Sequence, residues 1–171
     1  MIEFLSEENI ELHKGYYRTL KCKFSILEKS DARLQKKALS ELYKLSLPKA
    51  LKEEAIALKR EIYLHELYFS SFSKNPKNLS LPTVNSAFGS FQGLLFEAFS
   101  LAKDMESGFL LLCESKGRLS IMKSDAVYQL PHVILALDLA EHAYFLDYRF
   151  KKEEYIRAAL SFWDGEKIKQ K

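Results

Sequence analysis

The chain has 171 residues, of which 47% are hydrophobic and 29% are charged, and its formal net charge is +3. This composition is ordinary for a globular protein, and the length suffices for one domain or for two small lobes that share an interface. The mild positive charge does not favour a nucleic-acid partner. The sequence contains no stretch of 18 uninterrupted apolar residues, so it predicts no membrane span.

The N-terminal sequence and the cysteines bear on the cellular compartment. Residues 1–4 lack the basic segment and apolar run of a secretory signal, so we expect no signal peptide. Cys22 and Cys113 match no zinc-binding or redox spacing. We therefore expect reduced thiols in a cytoplasmic protein, with a disulfide between the two cysteines as the alternative.

The N-terminal half predicts long helices. Ser6 is a suitable N-cap residue, and the apolar residues after it recur at helical spacing, which predicts a first helix over about 6–28. A second helical stretch, rich in Leu, Ala, Lys and Glu, is predicted over about 32–72, with a break or kink at Pro48. The Ser-, Asn- and Pro-rich segment 70–82 is typical of a linker.

The C-terminal half predicts a mixed arrangement of helices and strands. The predicted elements are, in order, a helix over about 85–105, two short strands joined at 114–117, a loop over about 124–131, a buried strand over 133–138, and helices over about 143–150 and 153–162. We accordingly expect two domains, an N-terminal helical domain over 1–82 and a C-terminal α/β domain over 83–171.

The buried strand ends in a candidate metal-binding pair. Its run of apolar and β-branched residues, 133–137, is followed by Asp138 and His142, which are four residues apart. A carboxylate oxygen and an imidazole nitrogen aimed at one point suit a first-row transition metal. The spacing alone is a weak signal, because such pairs are common on surfaces and at helix ends.

The residues around this pair carry a longer pattern. The segment 138–148 resembles the signature Asp-x-Trp-Glu-His-Ala-Tyr-Tyr-x-Asp-Tyr of the iron/manganese superoxide dismutase family. The matching residues are Asp138, Glu141, His142, Ala143, Tyr144, Asp147 and Tyr148. Shorter stretches that resemble the family in the same order are 6–15, 64–69, 88–91, 107–109 and 117–121. The resemblance runs from about residue 5 to about residue 164; it is specific in the C-terminal signature and loose elsewhere.

The resemblance implies a fold, a metal site and an activity. The implied fold is α+β, with an N-terminal helical hairpin followed by a C-terminal α/β lobe that contains a three-stranded antiparallel sheet. One iron or manganese ion per subunit would be bound by four residues, namely His13, His65, Asp138 and His142. The implied reaction converts superoxide to dioxygen and hydrogen peroxide. The resemblance also implies a homodimer through Glu141 and His142, whereas His132 matches no ligand position.

One departure from the family concerns the residue that bonds the metal-bound solvent. The family uses a Gln there, whereas this chain has Glu61 at the iron-type position and, near the sheet-side position, only Gln129 with a side-chain amide. A neutral amide donates a hydrogen bond that an ionised carboxylate does not. Three interpretations of Glu61 stay open: a protonated carboxyl, a direct metal ligand, or an ordinary solvent-facing helix residue.

Further departures affect the entrance that the family uses. The family's gateway Tyr falls at Lys21, or at Leu20 if one gap is allowed, and a His one turn after the first ligand is replaced by Tyr17. The signature Trp is replaced by Ala140. Glu61, Tyr17 and Lys21 are therefore the candidate catalytic residues, with a solvated surface lysine as the alternative for Lys21.

Three functions are compatible with the sequence. The first is a divergent superoxide dismutase with iron or manganese. The alternative is a metalloprotein on the same scaffold, in which the altered surroundings of the metal serve another redox reaction or metal binding alone. The third is a structural module without activity, which ranks last because the four candidate ligands are all present.

Overall fold

A computed structural model describes residues 3–73, 82–126 and 132–169. The helices in these ranges are α1 (Glu7–Ser30), α2 (Leu39–Leu42), α3 (Lys49–Ser70), α4 (Pro82–Phe88), α5 (Phe91–Ala102), α6 (Phe145–Tyr148), α7 (Lys152–Ser161) and α8 (Gly165–Lys169). Short 3₁₀ turns lie at Ala32–Leu34, Ser124–Ala126 and Glu141–Ala143. The strands are β1 (Phe109–Ser115), β2 (Arg118–Lys123) and β3 (His132–Asp138). This order, with the sheet topology below, confirms the predicted α+β class.

Helix α1 begins where the sequence predicted. The Ser6 side chain accepts a hydrogen bond from the Asn9 amide, which satisfies one of the free donors at the helix start. The helix ends at Ser30, close to the predicted end. It packs against α3, and the two helices enclose a small apolar core that includes Leu20 and Phe24. These helices form the N-terminal hairpin.

The predicted second helical stretch, 32–72, is wrong in its first half. Between α1 and α3 the chain forms only a 3₁₀ turn and the four-residue α2, and Lys36 has a φ of 56°, which a continuous helix does not allow. Leu34 and Leu42 are fully buried, so these short turns anchor the segment to the apolar core. Helix α3 starts directly after Pro48, consistent with the predicted break.

The predicted helix over 85–105 is also wrong, because two helices occupy the region. Gly89 has a φ of 74° and separates α4 from α5, and the Ser90 side chain then caps α5 by accepting a hydrogen bond from the Gly93 amide. A Cβ on Gly93 would lie 1.9 Å from the Phe88 carbonyl oxygen. The break therefore depends on glycine at two positions.

The three strands form an antiparallel sheet in the order β2-β1-β3, as expected. The turn between β1 and β2 includes Lys116 and Gly117, with φ values of 51° and 75°, at the predicted position. Every residue of β3 after His132 is buried. On its other side, β3 meets the end of α3, where the Ala136 amide donates to the Ser71 hydroxyl at 2.9 Å.

The segment that follows α3 is joined to the C-terminal segment by main-chain hydrogen bonds. The Ser73 amide donates to the Phe162 carbonyl oxygen at 2.9 Å, and the Asp164 amide donates to the Ser71 carbonyl oxygen at 2.8 Å. Helix α8 was not predicted. The larger apolar core combines the start of α1, the end of α3, the sheet, α5 and α7. It therefore joins the N-terminal hairpin to the C-terminal lobe.

Several predictions fall partly outside the described residues. These are the N-terminal residues 1–2, most of the predicted linker, 74–81, and most of the predicted loop, 127–131, which includes Gln129. The division at residues 82 and 83 into two domains stays a prediction. Cys22 is exposed and Cys113 is buried, and both are free thiols. Among the described residues, no helix combines the length and apolar character that a membrane crossing needs.

Candidate metal centre

Four side chains from separate elements meet where the N-terminal hairpin contacts the sheet. His13 comes from α1, His65 from α3, Asp138 from the end of β3, and His142 from the 3₁₀ turn after it. One donor atom from each residue lies within 4.8 Å of the other three. The Nε2 atoms of the three histidines are 3.1, 3.5 and 3.1 Å from Asp138 Oδ2, in chain order. The structure thus brings the four predicted ligands to one point.

The four side chains differ in burial. His13, His65 and Asp138 are at most 1% exposed, whereas the His142 side chain is 23% exposed. A buried carboxylate surrounded by imidazoles has lost its water, so its stability depends on these neighbours or on a cation. Within the group, solvent reaches His142 most easily.

Main-chain hydrogen bonds orient two of the four residues. His65 Nδ1 lies 2.8 Å from the Glu61 carbonyl oxygen, and because a carbonyl only accepts, Nδ1 carries the proton and the Nε2 lone pair is free. The Ala140 amide donates to Asp138 Oδ1 at 2.9 Å, while Oδ2 faces the imidazoles. His65 Nε2 and Asp138 Oδ2 are therefore oriented toward the other members of the group.

Three buried nitrogen atoms test whether a metal fits this group. Among the described residues, His13 Nδ1 has no hydrogen-bond partner, and His13 Nε2 and His65 Nε2 lie 3.1 and 3.5 Å from Asp138 Oδ2 without forming a hydrogen bond to it. Buried polar atoms are rarely left unsatisfied in folded proteins, so each calls for an explanation. A metal ion would bind one nitrogen from each imidazole and satisfy the two Nε2 atoms. Three imidazoles with one carboxylate are a donor set that suits iron or manganese.

The electrostatics of the group favour the protonation states that metal binding needs. Burial lowers the pKa of His13 and of His65, and the nearby Asp138 opposes this only in part, so both imidazoles are neutral at pH 7. Burial would raise the pKa of Asp138, but its contacts with His13 and His142 lower it on balance. Neutral imidazoles and an ionised carboxylate are the forms that ligate metals.

The predicted catalytic residue Glu61 lies one turn before His65 on α3 and is half-buried. Burial raises its pKa, and the negative charge of Asp138 acts in the same direction, against weaker opposing effects of Arg60 and His142. The carboxyl of Glu61 is therefore within electrostatic reach of the candidate metal group.

The other two predicted catalytic residues, Tyr17 and Lys21, contact each other, and the Tyr17 ring lies beside His65. The Tyr17 hydroxyl donates to Glu66 Oε1 at 2.9 Å, and its ring is nearly parallel to the His65 ring at 6.1 Å. Burial, followed by the bond to Glu66, raises the pKa of Tyr17 to about 12. The Lys21 ammonium lies 5.2 Å from the centre of the Tyr17 ring and is exposed.

Tyr16 is a neighbour of the site that the sequence interpretation missed. Its ring stacks on His142, with the ring centres 4.0 Å apart and the planes 24° from parallel, and it lies 5.5 Å from His65. Burial and the charges of Glu61 and Asp138 raise its pKa. The sequence feature that could have identified Tyr16 is its spacing from His13, because residues three and four positions after His13 are its neighbours on the helix surface.

Two buried side chains that support the site were also missed. Asn9 donates through Nδ2 to the Ala143 carbonyl oxygen at 2.6 Å, and its Oδ1 accepts from the Leu146 amide at 3.1 Å. The Tyr155 hydroxyl donates to the Asp138 carbonyl oxygen at 2.9 Å. Asn9 fixes α1 to the turn that carries His142, and Tyr155 fixes the main chain of Asp138.

An open groove borders the exposed side of the site. It has a volume of about 1110 Å³, and its lining includes Glu141, His142, Tyr144, Arg149 and Phe150. Phe150 is 90% exposed, and Glu141 is also exposed. The predicted dimer residues therefore face this groove.

Comparison with known proteins gives consistent matches. Residues 76–171 match the family model described as iron/manganese superoxide dismutases, C-terminal domain. The chain is 32% identical over 117 residues to superoxide dismutase [Fe] of Legionella pneumophila, and this alignment covers 61% of this chain and 60% of that protein. It is 28% identical over 163 residues to superoxide dismutase [Mn/Fe] of Rickettsia bellii, and this alignment covers 87% of this chain and 76% of that protein.

A plant relative matches over a smaller share of its own length. The chain is 31% identical over 127 residues to superoxide dismutase [Fe] 1, chloroplastic, of Oryza sativa subsp. japonica, which covers 58% of this chain and 32% of that protein. The chain thus spans about one third of the rice relative and three fifths of the Legionella relative.

Proposed function

We propose, since this chain belongs to the iron/manganese superoxide dismutase family, that it converts superoxide to dioxygen and hydrogen peroxide at a mononuclear metal site. The observation that carries this proposal is the convergence of three imidazole nitrogens on one buried carboxylate oxygen, at 3.1 to 3.5 Å. His13, His65, Asp138 and His142 would hold one iron or manganese ion per subunit.

The overall reaction consumes two superoxide ions and two protons and produces one dioxygen and one hydrogen peroxide. A bound iron or manganese ion would supply the one-electron chemistry by cycling between two oxidation states. The residues of the chain hold the ligands in place: the Glu61 carbonyl fixes His65, the Ala140 amide fixes Asp138 Oδ1, and the Tyr155 hydroxyl fixes the Asp138 main chain. These hydrogen bonds hold the ligand residues in fixed orientations.

We assign Glu61 a role in supplying protons to the reaction. Its half-buried position and its neighbour Asp138 favour a protonated carboxyl, which can donate a hydrogen bond where the family uses a Gln amide. Direct metal ligation by Glu61 is the alternative role. Tyr17 and Lys21 are assigned supporting roles at the edge of the site, Tyr17 through its ring beside His65 and Lys21 through its positive charge.

We also propose that the protein is a homodimer in the cytoplasm. Glu141 and His142 adjoin the groove described above, and an exposed Phe150 beside them offers apolar area for contact with a second copy. In such a dimer Glu141 of each subunit would approach the site of the other. Sedimentation at two ionic strengths would test the dimer, because a monomer at both would contradict it.

The test of activity is superoxide decay, measured by stopped-flow absorbance and divided by bound iron plus manganese. We expect rapid decay that is lost in His65→Gln and retained in His132→Gln, because the His132 side chain is 48% exposed and lies outside the ligand group. Glu61→Gln is expected to change the rate or its pH dependence. Slow decay from fully loaded wild-type protein would contradict the proposal.

A second function follows if the metal binds and superoxide turnover is slow. The observation that favours it is the altered entrance, where Lys21 lies against Tyr17 and Tyr17 is bonded to Glu66. The chain would then be a metalloprotein of the same family with another redox or metal-binding role. Metal content measured with the rate separates these outcomes.

A further inference from the structure

The candidate metal group is closed on most sides. His13, His65 and Asp138 are at most 1% exposed, so small molecules cannot approach through them without a rearrangement of the buried core. The His142 side chain is 23% exposed and is therefore the accessible member of the group. Within one subunit, access to a metal held here passes beside this imidazole.

Tyr16 covers the accessible member. Its ring is stacked on the His142 imidazole at a centre-to-centre distance of 4.0 Å, which is contact distance for parallel rings. Tyr16 itself is 41% exposed, so one side of its ring contacts the site and another side contacts solvent. Ala140, two residues before His142, contributes only a methyl group in this region. Tyr16 thus covers one face of the His142 imidazole.

The two other side chains considered for the entrance, Tyr17 and Lys21, are restrained by their neighbours. The Tyr17 hydroxyl is held by Glu66, and its ring faces His65 at the longer distance of 6.1 Å. Lys21 contacts the Tyr17 ring. Tyr16 contacts His142 and His65 through its ring, so rotation of this side chain breaks these ring contacts and no hydrogen bond of its hydroxyl within the described part of the chain. Exposed side chains of this kind change rotamer within nanoseconds.

We infer that Tyr16 is the access residue of the metal centre, a ring that covers His142 and moves aside to admit small anions. This inference deepens the proposed function and rests on it for the identity of the natural anion. The cover itself depends only on the contact between Tyr16 and His142. Loss of a stacked ring should raise the open fraction about three- to tenfold, the usual worth of such a pair.

The first experiment uses the metal-free protein and measures chemical access to His142. Diethyl pyrocarbonate is applied for short times at pH 7, and peptide mass spectrometry gives the modification rate of each histidine. His132 is an internal control, because its side chain is 48% exposed in a different part of the molecule. We expect the ratio of the His142 rate to the His132 rate to rise about three- to tenfold in Tyr16→Ala and to stay unchanged in Tyr16→Phe, which keeps the ring.

The second experiment uses iron-loaded protein and sodium azide as the anion. The association rate, followed by stopped-flow absorbance, should rise in Tyr16→Ala by a factor similar to that of the modification ratio and should not rise in Tyr16→Phe. Wild-type values for Tyr16→Ala in both experiments would overturn the inference. Equal effects of the two substitutions would also overturn it, because the cover would then depend on the hydroxyl. Slow superoxide decay with these access changes present would contradict the proposed reaction and leave the access role intact.

Discussion

Asn9 offers the most direct test of how the site is held together. This fully buried side chain makes two hydrogen bonds across more than 130 residues of sequence, one to the Ala143 carbonyl and one from the Leu146 amide. Ala143 directly follows His142, so the two bonds tie helix α1 to the turn that carries a predicted ligand. The substitution Asn9→Ala removes both bonds and adds no steric clash.

The expected cost follows from the groups left without partners. Each buried donor or acceptor that loses its hydrogen bond costs about 1–3 kcal/mol, so two such groups lower the free energy of unfolding by about 2–6 kcal/mol. Ser6→Ala is the matched control at the same end of the helix. It removes only the N-cap bond from the Asn9 amide and should cost about 1 kcal/mol.

The assay is urea unfolding of the metal-free protein at pH 7, followed by circular dichroism, with the slope of the transition checked for constancy between variants. The affinity for iron or manganese is measured on the same proteins. We expect Asn9→Ala to weaken it about tenfold or more, the range seen when residues that orient ligands are removed. A loss of unfolding free energy in Asn9→Ala no larger than that in Ser6→Ala would refute the reasoning.

Two further predictions concern packing and acidity. Gly93→Ala should lower the free energy of unfolding by several kcal/mol, since its Cβ would lie 1.9 Å from the Phe88 carbonyl oxygen. Gly15→Ala, whose Cβ would have its nearest atom at 3.9 Å, should instead raise the free energy of unfolding by about 0.5–1 kcal/mol. Thermal unfolding of both variants checks this, and equal melting temperatures would contradict it. The lowered pKa values of His13 and His65 mean that the unfolded chain binds protons first as the pH falls, so the stability of the metal-free protein should decline below about pH 6.5. Replacing both histidines by Gln should flatten this decline in urea titrations between pH 7 and 5, and an unchanged slope would exclude the two imidazoles as its cause.

The features that were predicted well from the sequence are those that depend on short segments of the chain. The Ser6 cap, the turn at Lys116 and Gly117, and the buried strand that ends at Asp138 each depend on a few adjacent residues. Asp138 and His142 are likewise only four residues apart. For such features, local backbone preferences and burial act in the same direction, so the pattern alone is informative.

The errors arise where distant contacts decide. The segment after α1 is rich in helix-forming residues, yet its short turns place Leu34 and Leu42 in the core of the hairpin. Tyr16 and Tyr17 lie three and four residues after His13, so both are its neighbours on the helix surface and the sequence gives no reason to prefer either. In the structure the Tyr17 hydroxyl donates to the Glu66 carboxylate, and Tyr16 stacks on His142. That choice is made by tertiary packing.

The bond from the Ala136 amide to the Ser71 hydroxyl has a consequence for behaviour at high concentration. An outer strand with free amide groups is a template on which strands of other molecules add, and such addition leads to aggregation. Strand β3 is apolar along most of its length and would be a strong template if its edge were open. The end of α3 occupies that edge, so the strand that presents Asp138 is protected from pairing with other chains.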